Sequence, residues 1–225
     1  MATWIITTCL TLLLAAMAAA QAQAPEKPNP AFAPVKDVAG LPRVLLIGDS
    51  ISIGYTPDVR ELLKGKANVH RIPTNARMTK FGLDMIDDWL GEKPWDVIHF
   101  NWGLHDLRIE PDGKHQVPLE EYTRNLEALV KRLKKTKAAL IWASTTPVPN
   151  ERVKPPRRPD DVPRYNAAAG RIMERYGVGV NDLYAAALPH LAAMQIPDNV
   201  HFKPEGSRFL AERVAAAIVK ALGSR

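Results

Sequence analysis

Short, almost wholly apolar runs separated by helix-patterned segments restrict what this chain can fold into. Residues 44–47 (VLLI) and 138–143 (AALIWA) carry no polar residue, and 95–100 (WDVIHF) is broken only by Asp96 and His99. Strands buried on both faces read this way, whereas strands with one wet face alternate apolar and polar residues. Weaker strand signals fall at 68–72 and 179–180. Between the strands the apolar period lengthens: Leu126, Leu129, Val130 and Leu133 lie at helical spacing within 119–135. Further helices are expected at 79–90, stopped by Gly91, at 161–176, stopped by Gly177, at 182–190 and at 204–222. Thr56-Pro57 predicts another helix start, an N-cap followed by proline at the first helical position, running to about Lys64. Alternating β and α segments imply a parallel sheet covered on both faces. Five strands point to a flavodoxin-like, doubly wound α/β/α sandwich. Sites in such folds form at the carboxyl ends of strands, which directs attention to the loops after Ile47, Phe100 and Ala143.

The chain's 225 residues fit one domain plus a tail. Residues 1–22 carry no charged side chain. Their apolar run, from about Trp4 to Ala20, ends in Ala20-Gln21-Ala22, the layout of a secretory signal peptide with an A-x-A cleavage site. The competing reading is an uncleaved membrane anchor, for which the run is short. Residues 23–42, rich in Pro and Ala, are expected to be a disordered or extended leader, and 43–225 a single domain. A secreted or periplasmic location follows. The one cysteine, Cys9, lies in the removed segment, so the mature chain has neither thiol nor disulfide. The net charge of +6 includes the basic cluster Arg152, Lys154, Arg157 and Arg158. That cluster sits in a proline-rich loop and the lysines of 131–137 lie along a helix, so solvated faces, and no nucleic-acid partner, are expected.

Ser50 stands where the first strand ends, in Gly48-Asp49-Ser50. A hydroxyl there can face a cleft, yet it is a poor nucleophile without a base. The stretch is neither G-x-G-x-x-G nor a P-loop, which disfavours nucleotide binding. Of six histidines, His70 and His99 fall inside strands and read as structural. His201 lies in a loop before the last helix, three residues after Asp198, a spacing that can set a carboxylate against one ring nitrogen. The loop after the third strand, Asn101-Trp102-Gly103-Leu104-His105-Asp106, is placed to supply oxyanion donors.

These blocks resemble the SGNH, or GDSL-type, esterase and acylhydrolase family. Gly48-Asp49-Ser50-Ile51 is similar to its first block, Gly103-Leu104-His105-Asp106 to its third (G-x-N-D), and Asp198-x-x-His201 to its last. The resemblance implies a Ser50-His201-Asp198 triad and an oxyanion hole from the Ser50 N–H, the backbone at Arg77 and the His105 side chain. His105 replaces the family's Asn, with Asn101 as the other candidate donor. Arg77 stands where the second block has glycine, with Gly82 as an offset match. Trp102 and Asn101 are candidate substrate contacts. No metal or organic cofactor is implied. The expected substrate is a small-molecule or polysaccharide ester, acetyl esters of carbohydrates first. Lipid or thioester hydrolysis is the alternative within enzymes, and a non-catalytic carbohydrate-binding protein on this fold is the alternative outside them. After signal cleavage no stable membrane association is expected.

Overall fold

The computed structural model describes residues 28–224; the signal-peptide expectation and the start of the leader lie outside them. Five strands form one parallel sheet: β1 (Arg43–Ile47), β2 (Asn68–Arg71), β3 (Val97–Phe100), β4 (Ala139–Ala143) and β5 (Gly179–Asn181), in the order β2-β1-β3-β4-β5. Val44 pairs with Val97 and Val69, and Phe100 with Trp142. The apolar runs are therefore neighbours, and Val44, Leu46, Ile47, Ile98 and Phe100 are fully enclosed. Burying each such side chain contributes roughly 1.5–3 kcal/mol.

Helices cover both faces. On one lie α1 (Ser50–Leu62) and α7 (Pro204–Gly223), packed against each other; on the other α2 (Thr79–Leu90), α3 (Leu119–Lys134) and α4 (Asp161–Tyr176) pack in sequence. Two short helices, α5 (Leu183–Ala187) and α6 (Leu191–Met194), lead into the loop before α7. Among the described residues no helix is long and apolar enough to cross a membrane. The order reverses direction between β1 and β3, and the crevice outside their carboxyl ends is where doubly wound folds bind ligands.

Two expectations change. The helix predicted to begin at Pro57, with Thr56 as its N-cap, begins seven residues earlier, at Ser50. Its N-cap is Asp49, whose side chain accepts the Ile51 N–H at 2.9 Å. Pro57 is thus interior and leaves one intrahelical acceptor without its N–H donor. Residues 28–42 hold only a short 3₁₀ helix, Pro30–Phe32, and a turn, yet they are pinned to the sheet's β2 edge. Ala31 is buried, Asp37 bonds Arg43 (3.0 Å) and His70 (2.5 Å), and Val38 exchanges hydrogen bonds with the Asn68 side chain. Covering an edge strand in this way blocks pairing with other chains.

Candidate active site

The turn after β1 is held from three sides. At Gly48 a Cβ would fall 2.6 Å from Ser52 Cβ, so only glycine lets the helix start this close to the strand. The Gly48 carbonyl accepts from Ala76 N–H at 3.0 Å. The buried Arg71 guanidinium donates to the carbonyls of Gly48 (2.9 Å), Asp49 (3.0 Å) and Thr74 (2.9 Å). Burial pushes that guanidinium down to about 10, with Tyr55 and Asp49 acting the other way, so it remains charged at neutral pH. Ser50 becomes the first residue of α1, where backbone N–H groups have no intrahelical acceptor and the helix end is electropositive.

His201 reaches Ser50 because α7 packs along α1. Gly54 lies against Ser207, and Gly206 lets α7 approach the Met194 carbonyl, which a Cβ would meet at 2.6 Å. The loop between α6 and α7 is closed by a bridge between Gln195 and Phe202 and by Ile196 N–H donating to the His201 carbonyl at 3.0 Å. On this frame His201 Nε2 stands 2.8 Å from Ser50 Oγ. A serine hydroxyl within hydrogen-bond reach of an imidazole is the pairing that activates a nucleophile.

Asp198 is placed differently from expectation. It adopts a left-handed backbone, φ 54°, and its Oδ1 accepts from Asn150 Nδ2 (2.8 Å) and from Arg152 Nε (2.9 Å) and Nη2 (2.7 Å). The Arg152 hydrogen bond, then Asn150, holds this carboxyl below the usual range. The atom facing His201 Nδ1, at 2.7 Å, is Asn199 Oδ1. Asn199 was not singled out in the sequence, because the D-x-x-H spacing drew attention to the other side chain of the same turn.

The loop after β3 packs beneath the catalytic edge. Asn101 Nδ2 donates to the Ala143 carbonyl (2.8 Å) and lies 3.2 Å from Thr145 Oγ1. It joins β3 to the β4 loop, which is a structural use of the amide. Trp102 does not line a substrate pocket: it is wholly buried, its Nε1 donates to the Ala76 carbonyl (3.3 Å), and Tyr122 donates to its carbonyl. Gly82 exists to admit that ring, since a Cβ there would meet it at 2.8 Å, and the offset match to the second block falls away. His105 is half-buried in a turn closed by Leu107 N–H to the Gly103 carbonyl. Burial above all pushes its imidazole below the ordinary value. Asp49 opposes this, and Arg157, Arg108 and Arg77 reinforce it. His105 is therefore neutral at pH 7 and can donate one N–H.

Arg77 has φ 51°, the left-handed conformation that glycine adopts without cost. Asn75 Oδ1 accepts its N–H at 2.8 Å and stabilises the turn, while its guanidinium lies 5.0 Å from the Phe81 ring. Two members of the basic cluster in the β4–α4 loop are engaged within the fold: Arg157 is buried and donates to the carbonyls of Leu104 (2.6 Å) and Pro155 (2.9 Å), and Arg152 holds Asp198.

The chain matches the GDSL-like Lipase/Acylhydrolase family over residues 46–209. It belongs to that family. Membership makes it a serine hydrolase of ester bonds. Solved structures agree on the fold. An acetyl xylan esterase superposes with a TM-score of 0.67 at 18% identity, covering 78% of this chain and 99% of that one. A lipase/acylhydrolase from Enterococcus faecalis gives 0.69 at 19%, covering 79% and 95%. An acetylxylan esterase from Geobacillus stearothermophilus gives 0.65 at 22%, covering 79% and 94%. No curated protein matches the sequence.

Proposed function

We propose that this GDSL-family hydrolase is an exported esterase that removes short acyl groups, acetyl first, from carbohydrates. The observation that carries the reading is the 2.8 Å contact between Ser50 Oγ and His201 Nε2 at the mouth of the β1–β3 crevice. Ser50 Oγ attacks the ester carbonyl carbon and its proton passes to His201 Nε2. The carbonyl π-electrons move onto oxygen, and in this reading the Ser50 N–H, the neutral His105 N–H and the Arg77 backbone N–H are the donors that receive it. Engaging Arg77 requires its N–H to exchange Asn75 for the oxyanion. Collapse of the tetrahedral intermediate breaks the bond to the alcohol, which takes the proton from His201 as it leaves. Water then adds to the acyl-enzyme by the same route, giving the acid and restoring Ser50.

The preference for short acyl groups, acetyl first, rests on the structural relatives. Two of the structural relatives are acetyl xylan esterases, which supports carbohydrate as the alcohol. Export rests on the residue pattern of 1–22.

Hydrolysis of p-nitrophenyl acetate by the wild type and by Ser50→Ala tests the reading. The variant should lose on the order of 10³-fold or more in kcat. A series from acetate to palmitate should decline with chain length, and acetylated xylan should release acetate. Equal, near-background rates in both proteins would overturn the esterase reading; a maximum at long chains would favour a lipid substrate.

A further inference from the structure

Asn199 makes two contacts with His201 through one atom. Its Oδ1 accepts the His201 backbone N–H at 3.0 Å and faces Nδ1 of the same residue's ring at 2.7 Å. The first contact settles which end of the amide faces the ring. A flipped side chain would point its NH₂ group at a backbone N–H, donor against donor. Since the oxygen faces Nδ1, that nitrogen carries the ring proton. Nε2 is then the bare acceptor, and it is the atom 2.8 Å from Ser50 Oγ. This tautomer is the one a general base needs.

Asp198 is committed elsewhere. Its backbone is left-handed, and three donors from Asn150 and Arg152 converge on its Oδ1. Asn150 in turn accepts the Arg152 N–H at 2.8 Å, so the tip of the β4–α4 loop and the turn before His201 form one closed set of bonds. Gln195 adds a second tie between the same segments, donating to the Pro147 carbonyl at 2.9 Å and to Val200 O at 3.0 Å.

We propose that Asn199 is the positioning residue of His201, fixing the ring's orientation and its Nδ1–H tautomer, while Asp198 fastens the Arg152 loop beside the site. The inference rests on the assignment of Ser50 and His201 as nucleophile and base. A neutral amide orients imidazole as well as a carboxylate does, and cysteine proteases with a Cys-His-Asn arrangement use it so. It brings no negative charge to the imidazolium formed during turnover.

Two variants and two readouts test this. With p-nitrophenyl acetate, Asn199→Ala should lower kcat about a hundredfold with KM changed less than about threefold, and Asn199→Asp should restore kcat to within about tenfold of wild type. Asp198→Asn should change kcat by less than about tenfold. The second readout, ¹⁵N NMR of the His201 ring, does not require activity: wild type should show the Nδ1–H tautomer and Asn199→Ala a mixture. The proposal is overturned if Asp198→Asn loses about a hundredfold while Asn199→Ala stays within about threefold. It is also overturned if the ring carries its proton on Nε2, or if its tautomer is indifferent to Asn199. A wild type inactive towards every ester would sink the esterase reading, and the tautomer would still decide the role of Asn199. If Asn199→Ala does not fold, the Asp198→Asn rate and the wild-type spectrum decide instead.

Discussion

Replacing Asp106 with asparagine should change how stability depends on pH. Asp106 is wholly enclosed in the loop after β3, where Oδ1 accepts the Thr79 backbone N–H (2.8 Å) and hydroxyl (2.5 Å) at the start of α2, and Oδ2 has no partner among the described residues. Burial pushes its carboxyl from an ordinary 3.8 up to about 7. The nearby Asp49 adds to this, and the Thr79 hydrogen bonds resist it. Between about pH 4 and 7 the folded protein keeps this proton and the unfolded chain has released it. The folded state thus binds more protons, so stability is fullest below pH 4 and falls as pH rises to 7. A displacement of about three pH units corresponds to about 4 kcal/mol. Asp106→Asn keeps the acceptor for Thr79 and cannot ionise. Urea unfolding of both proteins at pH 4 and pH 8 should therefore show the variant gaining about 4 kcal/mol on the wild type. The difference between the two proteins is the informative quantity, because His99 works in the opposite direction. Burial pushes its imidazole down to about 3, so His99 destabilises the fold progressively below its ordinary 6.5. Across pH 4–6.5 the two slopes oppose each other and the wild-type curve flattens. Wild-type and Asp106→Asn curves that run parallel within about 0.5 kcal/mol would refute the reasoning, since the carboxyl would then titrate alike in both states.

Substitutions at Gly103 and His105 probe the rest of the site. At Gly103 a Cβ would fall 2.0 Å from Thr145 Oγ1, so Gly103→Ala should cost about 1–3 kcal/mol by thermal or urea unfolding, and pairing it with Thr145→Ala should recover most of that. His105→Ala should lower kcat about 10²–10³-fold with little change in KM, as loss of one oxyanion donor does, and His105→Asn should restore much of it. If His105→Ala leaves kcat intact, the donor lies elsewhere.

The three central strands, β1, β3 and β4, were legible because they are buried on both sides. Nothing but continuous apolar sequence survives at Val44, Leu46, Ile98 and Leu140, so each run announces itself. Ser50 and His201 were legible because strand ends and loops of a doubly wound sheet are where chemistry sits. Three features were not. The start of α1 was misplaced because Thr56-Pro57 carries the local signal of a first turn, while the true cap, Asp49, is hidden inside the motif that drew attention to Ser50. Trp102 looked like a pocket wall because it shares the loop with His105, but the two residues have different surroundings: Trp102 lies in the core against Ala76 and Gly82, while His105 is half-buried. The partner of His201 was obscured because spacing does not report φ. A left-handed residue at 198 rotates the turn so that the next side chain, Asn199, meets the ring. The leader expected at 23–42 held another surprise within its described part: Asp37 and Val38 have partners on β1 and β2 that no local pattern reveals.

Covalent labelling of Ser50 measures the central claim most directly. An active-site-directed fluorophosphonate forms a bond to a serine hydroxyl only where a base removes its proton. Mass spectrometry of the treated protein should show one adduct, on the peptide bearing Ser50, appearing in step with loss of p-nitrophenyl acetate hydrolysis and absent from Ser50→Ala and His201→Ala. Loss of hydrolysis with the adduct on another residue, or hydrolysis that persists after Ser50 is fully labelled, would contradict the assignment of Ser50 as nucleophile.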